Sequence, residues 1–396
     1  MTNLLKRGIR KYRSSGLRNT LNAGWESLYS DTVLNKLSGR YIYPRIDPIN
    51  RVDILRNHVS NDFIEYPEKE ITDPIPRRIN IPNEADVDSV PYYRSHPSFI
   101  WSCENARIFP PAGLGITSDG RPIVELVGPP REFDDRLVTA IAKSMAHNGI
   151  WSTYRELGAP STSIIEPDID RACVLMPPFN NYYHWTIECL LRIRLLKQSN
   201  INLDTVTFVL SEDSSWMKES LSLLGISPEN YIVCKNKIVA KELVIPSFPD
   251  PPSYTDLNWL RQEMTETITQ TKNDRRIHIS RSDATRRRLQ NEDELLAVLD
   301  EFEFESHVLS NLTVREQIRL FSEAEMIVGA HGAGFTNIIY GSDLSVIELF
   351  GDEKRTTFFQ LSHILNHNYD CVAGETVNID IKVDTDDVRQ TVARNL

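Results

Sequence analysis

The stretch Met326–Tyr340, MIVGAHGAGFTNIIY, runs from an apolar strand through a glycine-rich turn into a helix. Glycines in such a turn let backbone N–H groups approach an anion closely, and the helix start adds about half a positive charge. Phosphate is the ligand that this arrangement favours. The spacing fits neither the dinucleotide pattern GxGxxG nor the phosphate loop GxxxxGK[ST], so neither of those chemistries is supported. Tight backbone packing is the alternative explanation for the glycines.

The next predicted strand, SVIELF at 345–350, places a carboxylate among apolar residues. Glu348 lies near the carboxyl end of this strand, where open α/β sheets bind ligands. A carboxylate in that position can accept both hydroxyls of a ribose. The alternative is a glutamate on the solvated face of an edge strand.

A cluster of arginines precedes the glycine-rich turn, in HISRSDATRRRLQNEDEL at 278–295. Arg281 lies at the end of a predicted strand, and Arg286, Arg287 and Arg288 precede the next helix. Guanidinium groups suit phosphate oxygens because they stay charged and bind in a bidentate fork. The sequence therefore predicts that at least one of these arginines binds a diphosphate.

A fourth candidate segment lies earlier in the chain, in PPFNNYYHWTIECLLRIRLLK at 177–197. His184 lies where a strand turns into an amphipathic helix, and Glu188 and Arg192 follow at i+4 steps on one face. Histidine at a helix start can act as a general base or bind phosphate. His184 is the first candidate for a catalytic base and Glu188 the second. The alternatives are a structural histidine and a surface ion pair between Glu188 and Arg192.

The remaining pattern predicts an α/β protein, because short apolar strands alternate with amphipathic helices. An antiparallel hairpin is predicted over 98–128, and the proline-rich stretch 246–256 predicts an exposed, stiff linker. We expect a basic helical and extended segment over 1–90, a Rossmann-like domain over 91–248 and a second over 249–396. The predicted strands of the two domains are 172–176, 205–210, 231–234, 242–245, 275–280, 304–308, 325–330, 345–350 and 369–372.

The overall composition, with 40% hydrophobic and 25% charged residues in 396, predicts a folded protein of two or three domains. The net charge of -11 argues against nucleic acid as a partner of the whole chain. Residues 1–40 differ, with eight basic residues against two acidic ones. A basic amphipathic helix there would lie on an anionic membrane or pack on the protein's own body.

Cysteine usage and the absence of apolar spans predict a cytoplasmic protein. The five cysteines are widely spaced without a CxxC pair, which is typical of reduced core residues. No stretch approaches the roughly 18 apolar residues of a membrane span, and the N-terminus lacks the apolar core of a signal peptide. Two DxD sequences, at 168–170 and 384–386, resemble metal motifs, but their positions favour chance and helix capping.

Taken in this order, the motifs NYYHW, SRSDATRRR, HGAGFTN and VIELF resemble glycosyltransferase family 61. The similarity runs from Val174 to Phe350 and is strongest from Ile277 onward. The resemblance implies the GT-B architecture, two Rossmann-like domains facing across a cleft. It also implies an inverting transfer of a sugar from a nucleotide diphosphate sugar, with a UDP-sugar as the expected donor and no metal or other cofactor.

The resemblance also assigns roles to residues by position. Arg281 and Arg286 would bind the diphosphate, Glu348 would hold the ribose, and His184 would face the transferred sugar. Further contacts to the nucleotide sugar are implied for residues of the glycine-rich turn and its helix, namely His331, Gly332, Ala333, Gly334, Thr336 and Asn337.

For the acceptor, the resemblance implies a glycan or lipid-linked glycan, in protein glycosylation or surface polysaccharide synthesis, with hexosyl or N-acetylhexosaminyl transfer. The enzyme would then act in the cytoplasm, peripherally at the inner face of the cell membrane through residues 1–40. Two other hypotheses remain open. One is a non-catalytic nucleotide-sugar or glycan-binding protein of the same fold. The other is a phosphoryl or nucleotidyl transferase, which would need magnesium.

Overall fold

The computed structural model describes residues 33–51, 53–54, 64–65, 98–128, 133–158, 166–177, 179–249, 251–266, 268, 272–353 and 355–396. Most of the expected N-terminal segment, including the first 32 residues of its basic part, lies outside these ranges. The chain divides into two compact units. The described residues up to 249 belong to the first unit, and those from 251 onward belong to the second.

The first unit is built on an eight-stranded mixed sheet. Its strands are β1 (Ile64–Glu65), β2 (Ser98–Phe109), β3 (Leu114–Ile116), β4 (Pro122–Ile123), β5 (Ile169–Leu175), β6 (Thr207–Leu210), β7 (Tyr231–Val233) and β8 (Ile238–Pro246). The order is β4-β3-β2-β8-β5-β6-β7, with β1 paired to β2. Strands β8, β5, β6 and β7 are parallel, whereas β2 to β4 pair antiparallel. The hairpin predicted over 98–128 gains a third strand, β3, because the chain already reverses at 110–113.

Helices pack with this sheet in the order that the α/β alternation predicts. They are α1 (Phe133–Asn148), α2 (Ile150–Glu156), a π-helix (His184–Leu190) that continues as α3 (Leu191–Gln198), and α4 (Ser215–Leu223). Short helical turns occupy Asn35–Leu37, Ser38–Ile42 and Tyr43–Arg45. Many apolar side chains of the strands are fully buried, among them Phe99, Ile108 and Val174. None of the helices in the described residues has the length and apolar content to span a bilayer.

The second unit contains a five-stranded sheet in which every neighbouring pair is parallel. Its strands are β9 (Arg275–Ser280), β10 (Phe304–Val308), β11 (Ala324–Ala330), β12 (Ser345–Phe350) and β13 (Asn368–Ala373), in the order β10-β9-β11-β12-β13. Its helices are α5 (Tyr254–Thr265), α6 (Glu292–Asp300), α7 (Val314–Ser322), a 3-10 helix (Ala333–Tyr340), α8 (Thr357–Ile364) and α9 (Thr385–Asn395). The prediction of an α/β protein with parallel strands is confirmed.

A small hairpin near the end of the chain is absent from the sequence prediction. It consists of β14 (Glu375–Val377) and β15 (Asp380–Lys382), joined through Asn378, whose backbone is left-handed at φ 64°. The hairpin binds the arginine-rich loop backbone to backbone. Arg287 N–H donates to the Ile379 carbonyl at 2.7 Å, and Ile381 N–H donates to the Arg288 carbonyl at 2.8 Å.

The segment predicted as an exposed linker is partly buried. Ser247 and Phe248 are only 2% and 4% exposed. Ser247 Oγ accepts a hydrogen bond from Phe99 N–H at 3.0 Å, and Phe248 N–H donates to the Glu125 carboxylate at 2.6 Å. The prediction is wrong for these two residues because the first unit supplies hydrogen-bond partners that a proline-rich composition does not reveal.

Candidate functional site

The candidate site of the second unit lies where the strand order of its sheet reverses. The chain leaves β9 for β10 on one side and later returns to β11 on the other side of β9. In open parallel sheets, ligands bind beside the carboxyl ends of the strands at such a reversal. Arg281 directly follows β9, and His331 directly follows β11. Two of the sequence motifs therefore meet at the position where a ligand is expected.

The glycine-rich turn and the arginine loop touch at Gly332. Its backbone is extended, with φ 175°, so its conformation alone does not require glycine. A Cβ at this position would lie 1.9 Å from Nη1 of Arg281. Arg281 is held there by hydrogen bonds from Nε to the Arg287 carbonyl and from Nη2 to the Arg286 carbonyl, both 3.2 Å. Glycine at 332 thus provides the space that the guanidinium group occupies.

The arginine loop concentrates positive charge that is not fully balanced. Burial, foremost, and the charges of Arg281, Arg286 and Arg355 together lower the pKa of Arg287 to about 10, against the opposing charge of Glu353. Burial, foremost, and the charge of Arg286 also lower the pKa of Arg281. Nε of Arg287 is buried without a hydrogen-bond partner among the described residues. Like charges held close together, with a buried donor unpaired, favour binding of an anion.

Arg288 differs from the other arginines of the loop because it has a carboxylate partner. Its Nη2 lies 2.7 Å from Asp380 Oδ2, and its backbone N–H donates to Oδ1 at 3.2 Å. The hydrogen bond to Asp380 raises the pKa of Arg288. This arginine joins the loop to β15 and does not contribute unbalanced charge.

The glycine-rich turn and its 3-10 helix present backbone amides, rather than side-chain groups, to a ligand. Ala333 and Gly334 are half-buried, and the first amides of a helix have no partner within it. Thr336 and Asn337 are completely buried, and Asn337 Nδ2 donates to Gln317 Oε1 at 2.9 Å. Both side chains are buried in the protein, and the loop and helix N-terminal contacts implied for Thr336 and Asn337 stay a prediction.

Glu348 lies between two partners of the second unit. The carboxylate is fully buried, with Oε1 accepting a hydrogen bond from Nδ1 of His331. Oε2 accepts from the Tyr369 hydroxyl at 2.7 Å. Burial, foremost, and the charge of Glu348 raise the pKa of Tyr369 well above its usual value. Both oxygens of Glu348 thus have partners inside the protein, and the ribose contact implied for this residue stays a prediction.

The first unit has its own strand reversal, between β5 and β8. The chain leaving β5 leads to His184, whose Nδ1 lies 2.7 Å from Oε1 of Glu188. Arg136 binds the same carboxylate in a bidentate fork, with distances of 2.9 and 3.0 Å. Burial is the largest influence on the pKa of Glu188 and raises it, but His184 and Arg136 together lower it below its usual value. His184 and Glu188, both candidates from the sequence, are thus in contact.

Arg136 is the functional candidate that sequence reasoning missed. It lies on α1 and its guanidinium group also covers the rings of Phe179 and Phe248, at 5.7 and 5.6 Å. No local sequence pattern identifies Arg136 as a functional residue, because its partner Glu188 lies 52 positions later in the chain. Only the packing of α1 onto the π-helix brings the two together.

Arg192 is not the partner of Glu188. It is 1% exposed and donates to three backbone carbonyls, those of Pro246, Val174 and Glu125, at 3.1 to 3.3 Å. The alternative of a surface ion pair with Glu188 is therefore wrong. Arg192 instead ties the π-helix region to the sheet.

The two DxD sequences have structural partners. Asp168 Oδ2 accepts from Val239 N–H at 2.7 Å, and Asp384 Oδ1 accepts from Asp386 N–H at 2.8 Å as the cap of α9. The prediction of capping at Asp384 is confirmed. Among the described residues, no group of three or more His, Cys, Asp or Glu side chains is arranged to hold a metal ion.

Comparison with known families gives one match, to the family described as Glycosyltransferase 61, over residues 182–347. The matched range contains His184, Glu188, the arginine loop and the glycine-rich turn, and it ends one residue before Glu348. The resemblance in these motifs is thereby confirmed. No curated protein matches the chain.

Proposed function

From the match of residues 182–347 to the family described as Glycosyltransferase 61, we propose that the chain is a glycosyltransferase of this family and takes its sugar from a nucleoside diphosphate sugar, with inversion. The observation that carries this proposal is the unbalanced arginine cluster at the strand reversal of the second unit. Arg281 beside Gly332, together with Arg286 and Arg287, offers positive charge to an anion. A UDP-sugar is the first donor to test.

The arginine cluster suits the chemistry of the leaving group. When the sugar is transferred, the bond between its anomeric carbon and the diphosphate oxygen breaks, and the electron pair stays on the diphosphate. Fixed positive charges and helix amides aimed at that oxygen stabilise the transition state. Three guanidinium groups and the start of the 3-10 helix supply such charges, and on this basis we propose a transfer that needs no metal ion.

His184 is the proposed general base of the first unit. Because its Nδ1 faces Glu188, Nε2 is the nitrogen left to accept a proton, and Nε2 has no partner among the described residues. Glu188 is bound by His184 and by both arms of Arg136, so its carboxylate orients the imidazole and is not itself a base. This is the logic by which a carboxylate fixes the tautomer of a catalytic histidine.

The remaining parts of the proposal concern architecture and setting. Two α/β units, each with parallel strands and a strand reversal, support the GT-B architecture. We further propose a glycan or lipid-linked glycan acceptor, hexosyl or N-acetylhexosaminyl transfer, and action in the cytoplasm at the inner face of the membrane. The basic charge of residues 1–40 supports the membrane contact.

A binding experiment tests the donor site. We expect one of UDP, GDP, CDP and ADP to raise the melting temperature, with and without a chelator, since a ligand at 100 times its Kd adds about 2.7 kcal/mol. Arg281→Ala should weaken binding of that nucleotide about 10- to 150-fold, the loss of a charged hydrogen bond. Arg319→Ala, which removes an exposed arginine of α7, is the control and should bind like the parent protein.

Two results would count against the proposal. The first is a folded protein that binds none of the four diphosphates. The second is an equal loss of nucleotide affinity in Arg281→Ala and Arg319→Ala, which would show that Arg281 has no specific role in binding. Hydrolysis of the corresponding nucleotide sugar in the absence of acceptor separates an enzyme from a protein that only binds.

A further inference from the structure

Phe179 is an exposed aromatic residue at the carboxyl end of the first sheet. It follows β5, the strand at which the order of this sheet reverses, and it is 39% exposed. Open α/β sheets bind their ligands at such a position. A large apolar side chain left in solvent there has the placement of a ligand-binding residue rather than that of a core residue.

Two cations and an imidazole hold the ring of Phe179 without burying it. Arg136 and Lys143, both on α1, place their charged groups 5.7 and 5.4 Å from the centre of the ring. The centre of the His184 ring lies 5.5 Å from it, at an interplanar angle of 39°. Because cations are attracted to the negative face of an aromatic ring, these contacts fix the orientation of Phe179 while part of the ring stays accessible.

The same contacts place Phe179 directly beside the proposed base. The imidazole of His184 also has the ring of Tyr183 as a neighbour, edge-on at 5.3 Å, and its side chain is 17% exposed. Nδ1 of the imidazole faces Glu188. A ligand that covers the accessible part of Phe179 is therefore adjacent to the imidazole, on which Nε2 is the nitrogen left to accept a proton.

The chemistry of this surface fits a sugar ring. One face of a pyranose presents C–H groups with a slight positive charge, and the negative face of an aromatic ring attracts them. The hydroxyls at the edge of the sugar remain available to other partners. The surface fits an anion less well, because the guanidinium group of Arg136 already binds the Glu188 carboxylate with both arms.

We propose that Phe179 stacks on a pyranose ring of the acceptor and thereby presents one hydroxyl of that sugar to Nε2 of His184. This inference rests on the proposed function. In the transfer, the acceptor oxygen bonds to the anomeric carbon and its proton passes to Nε2, while the electron pair of the broken bond stays on the diphosphate. The sugar beside the base is assigned to the acceptor because the base takes the proton of the acceptor.

The test uses the methyl β-glycosides of glucose, galactose and N-acetylglucosamine as probes, in NMR titrations that measure their dissociation constants. At least one should bind, with saturation transferred mainly to the C–H groups of one sugar face. Phe179→Leu keeps an apolar side chain but removes the ring, and should weaken that glycoside about 2- to 13-fold, the contribution of an aromatic contact. Phe179→Tyr keeps the ring and should bind like the parent protein.

Trp151→Leu is the matched control, because it removes an exposed aromatic ring from α2 of the same unit. It should leave the affinity for the glycoside unchanged. Diphosphate affinity should be the same in all of these variants, since none of them changes the unit that holds the arginine cluster. Melting temperatures show whether Phe179→Leu folds, and Phe179→Met takes its place if it does not.

A folded Phe179→Leu with the parent's affinity for the glycoside would overturn the inference, as would an equal loss in Trp151→Leu. The bound glycoside should also withstand addition of the nucleotide sugar, and displacement by it would assign the surface to the donor sugar instead. A parent protein that binds a diphosphate but none of the glycosides would overturn the inference and leave the proposed function standing. The opposite result, with a glycoside bound through Phe179 but no diphosphate, would overturn the proposed function alone.

Discussion

Each unit of the molecule holds one histidine against one glutamate near a strand reversal, but the third partner differs. In the first unit, Arg136 neutralises Glu188, which His184 also contacts. In the second unit, Glu348 has the uncharged hydroxyl of Tyr369 instead. The same histidine–glutamate pair thus occurs once with an arginine beside the carboxylate and once with a tyrosine hydroxyl.

This difference shows how a third residue changes what a histidine can do. A carboxylate already paired with arginine orients His184 and leaves its Nε2 to accept a proton, as a base requires. The carboxylate beside His331 has the Tyr369 hydroxyl in place of that guanidinium, so no arginine or lysine among the described residues pairs with it. The predictions below first break the pair of the first unit and then change the second unit.

Replacing the proposed base should have the largest effect. His184→Asn keeps a polar side chain but removes the proton acceptor, so turnover should fall about 10²- to 10⁴-fold. Nucleotide affinity should stay within a factor of two of the parent's value, because His184 lies outside the unit that holds the arginine cluster. Steady-state kinetics and calorimetry on the same preparation check both. A loss of nucleotide binding equal to the loss of turnover would contradict the separation of roles.

Breaking the ion pair of the first unit should mainly affect stability. Arg136→Ala leaves Glu188 buried without its bidentate partner, and such a loss costs about 3 to 5 kcal/mol in free energy of unfolding. Urea unfolding measures the change, with Arg155→Ala on the exposed face of α2 as the control. If both substitutions cost the same, Arg136 does not stabilise the pair.

Adding a methyl group at Gly332 should weaken nucleotide binding without unfolding the protein. In Gly332→Ala the new Cβ displaces the guanidinium of Arg281, and we expect about 10-fold weaker binding, one charged hydrogen bond. The backbone is extended at this position, so alanine adds no strain. Gly39→Ala, where the nearest atom to a Cβ is an ordinary 3.6 Å away, should behave as the parent protein. Unchanged affinity in Gly332→Ala would show that the position of Arg281 is unimportant.

The last effect acts through pH, at a histidine that makes no hydrogen bond to a carboxylate. Burial lowers the pKa of His367 to about 4, from an ordinary value of 6.5, while its Nε2 lies 3.0 Å from the Ile338 carbonyl. Between these two values the unfolded chain binds a proton that the folded protein does not. Stability should therefore fall as the pH drops from 6.5 towards 4, by at most about 1.4 kcal/mol per pH unit.

Urea unfolding at pH 7, 6, 5 and 4.5 checks this, with His367→Asn as the comparison. The variant should lose stability less steeply over the same range, because it has no imidazole to protonate. Equal slopes in the two proteins would exclude His367 as the source of the acid sensitivity.

Most of the second unit follows from local sequence. Strands β9, β10 and β12 have the bounds predicted from the sequence, and β12 is also the buried, nearly continuous apolar run that parallel strands favour. The hairpin of β14 and β15 was missed because its strands are three residues each and mostly polar. The motifs of the candidate site could be found in the sequence because each of them is a short continuous segment.

The partners within the site were not predictable from sequence. Whether Glu348 faces a ligand or His331 depends on the packing of β12 between β11 and β13, and periodicity does not specify those neighbours. Arg136 is equally remote from Glu188 in the chain. Sequence therefore identified the residue types and the strand ends, whereas the pairing that assigns their roles depends on tertiary packing.

The β14–β15 hairpin also has a consequence for the proposed site of the sugar donor. It holds the backbone of the arginine loop at 287–290, and Thr376 accepts a hydrogen bond from Asp352 N–H at 2.9 Å, in the loop after β12. The spacing of the guanidinium groups is therefore set by an accessory element outside the parallel sheet. A hairpin of another length would hold these groups at another spacing, and its tip at Asn378 is the position at which to change that length.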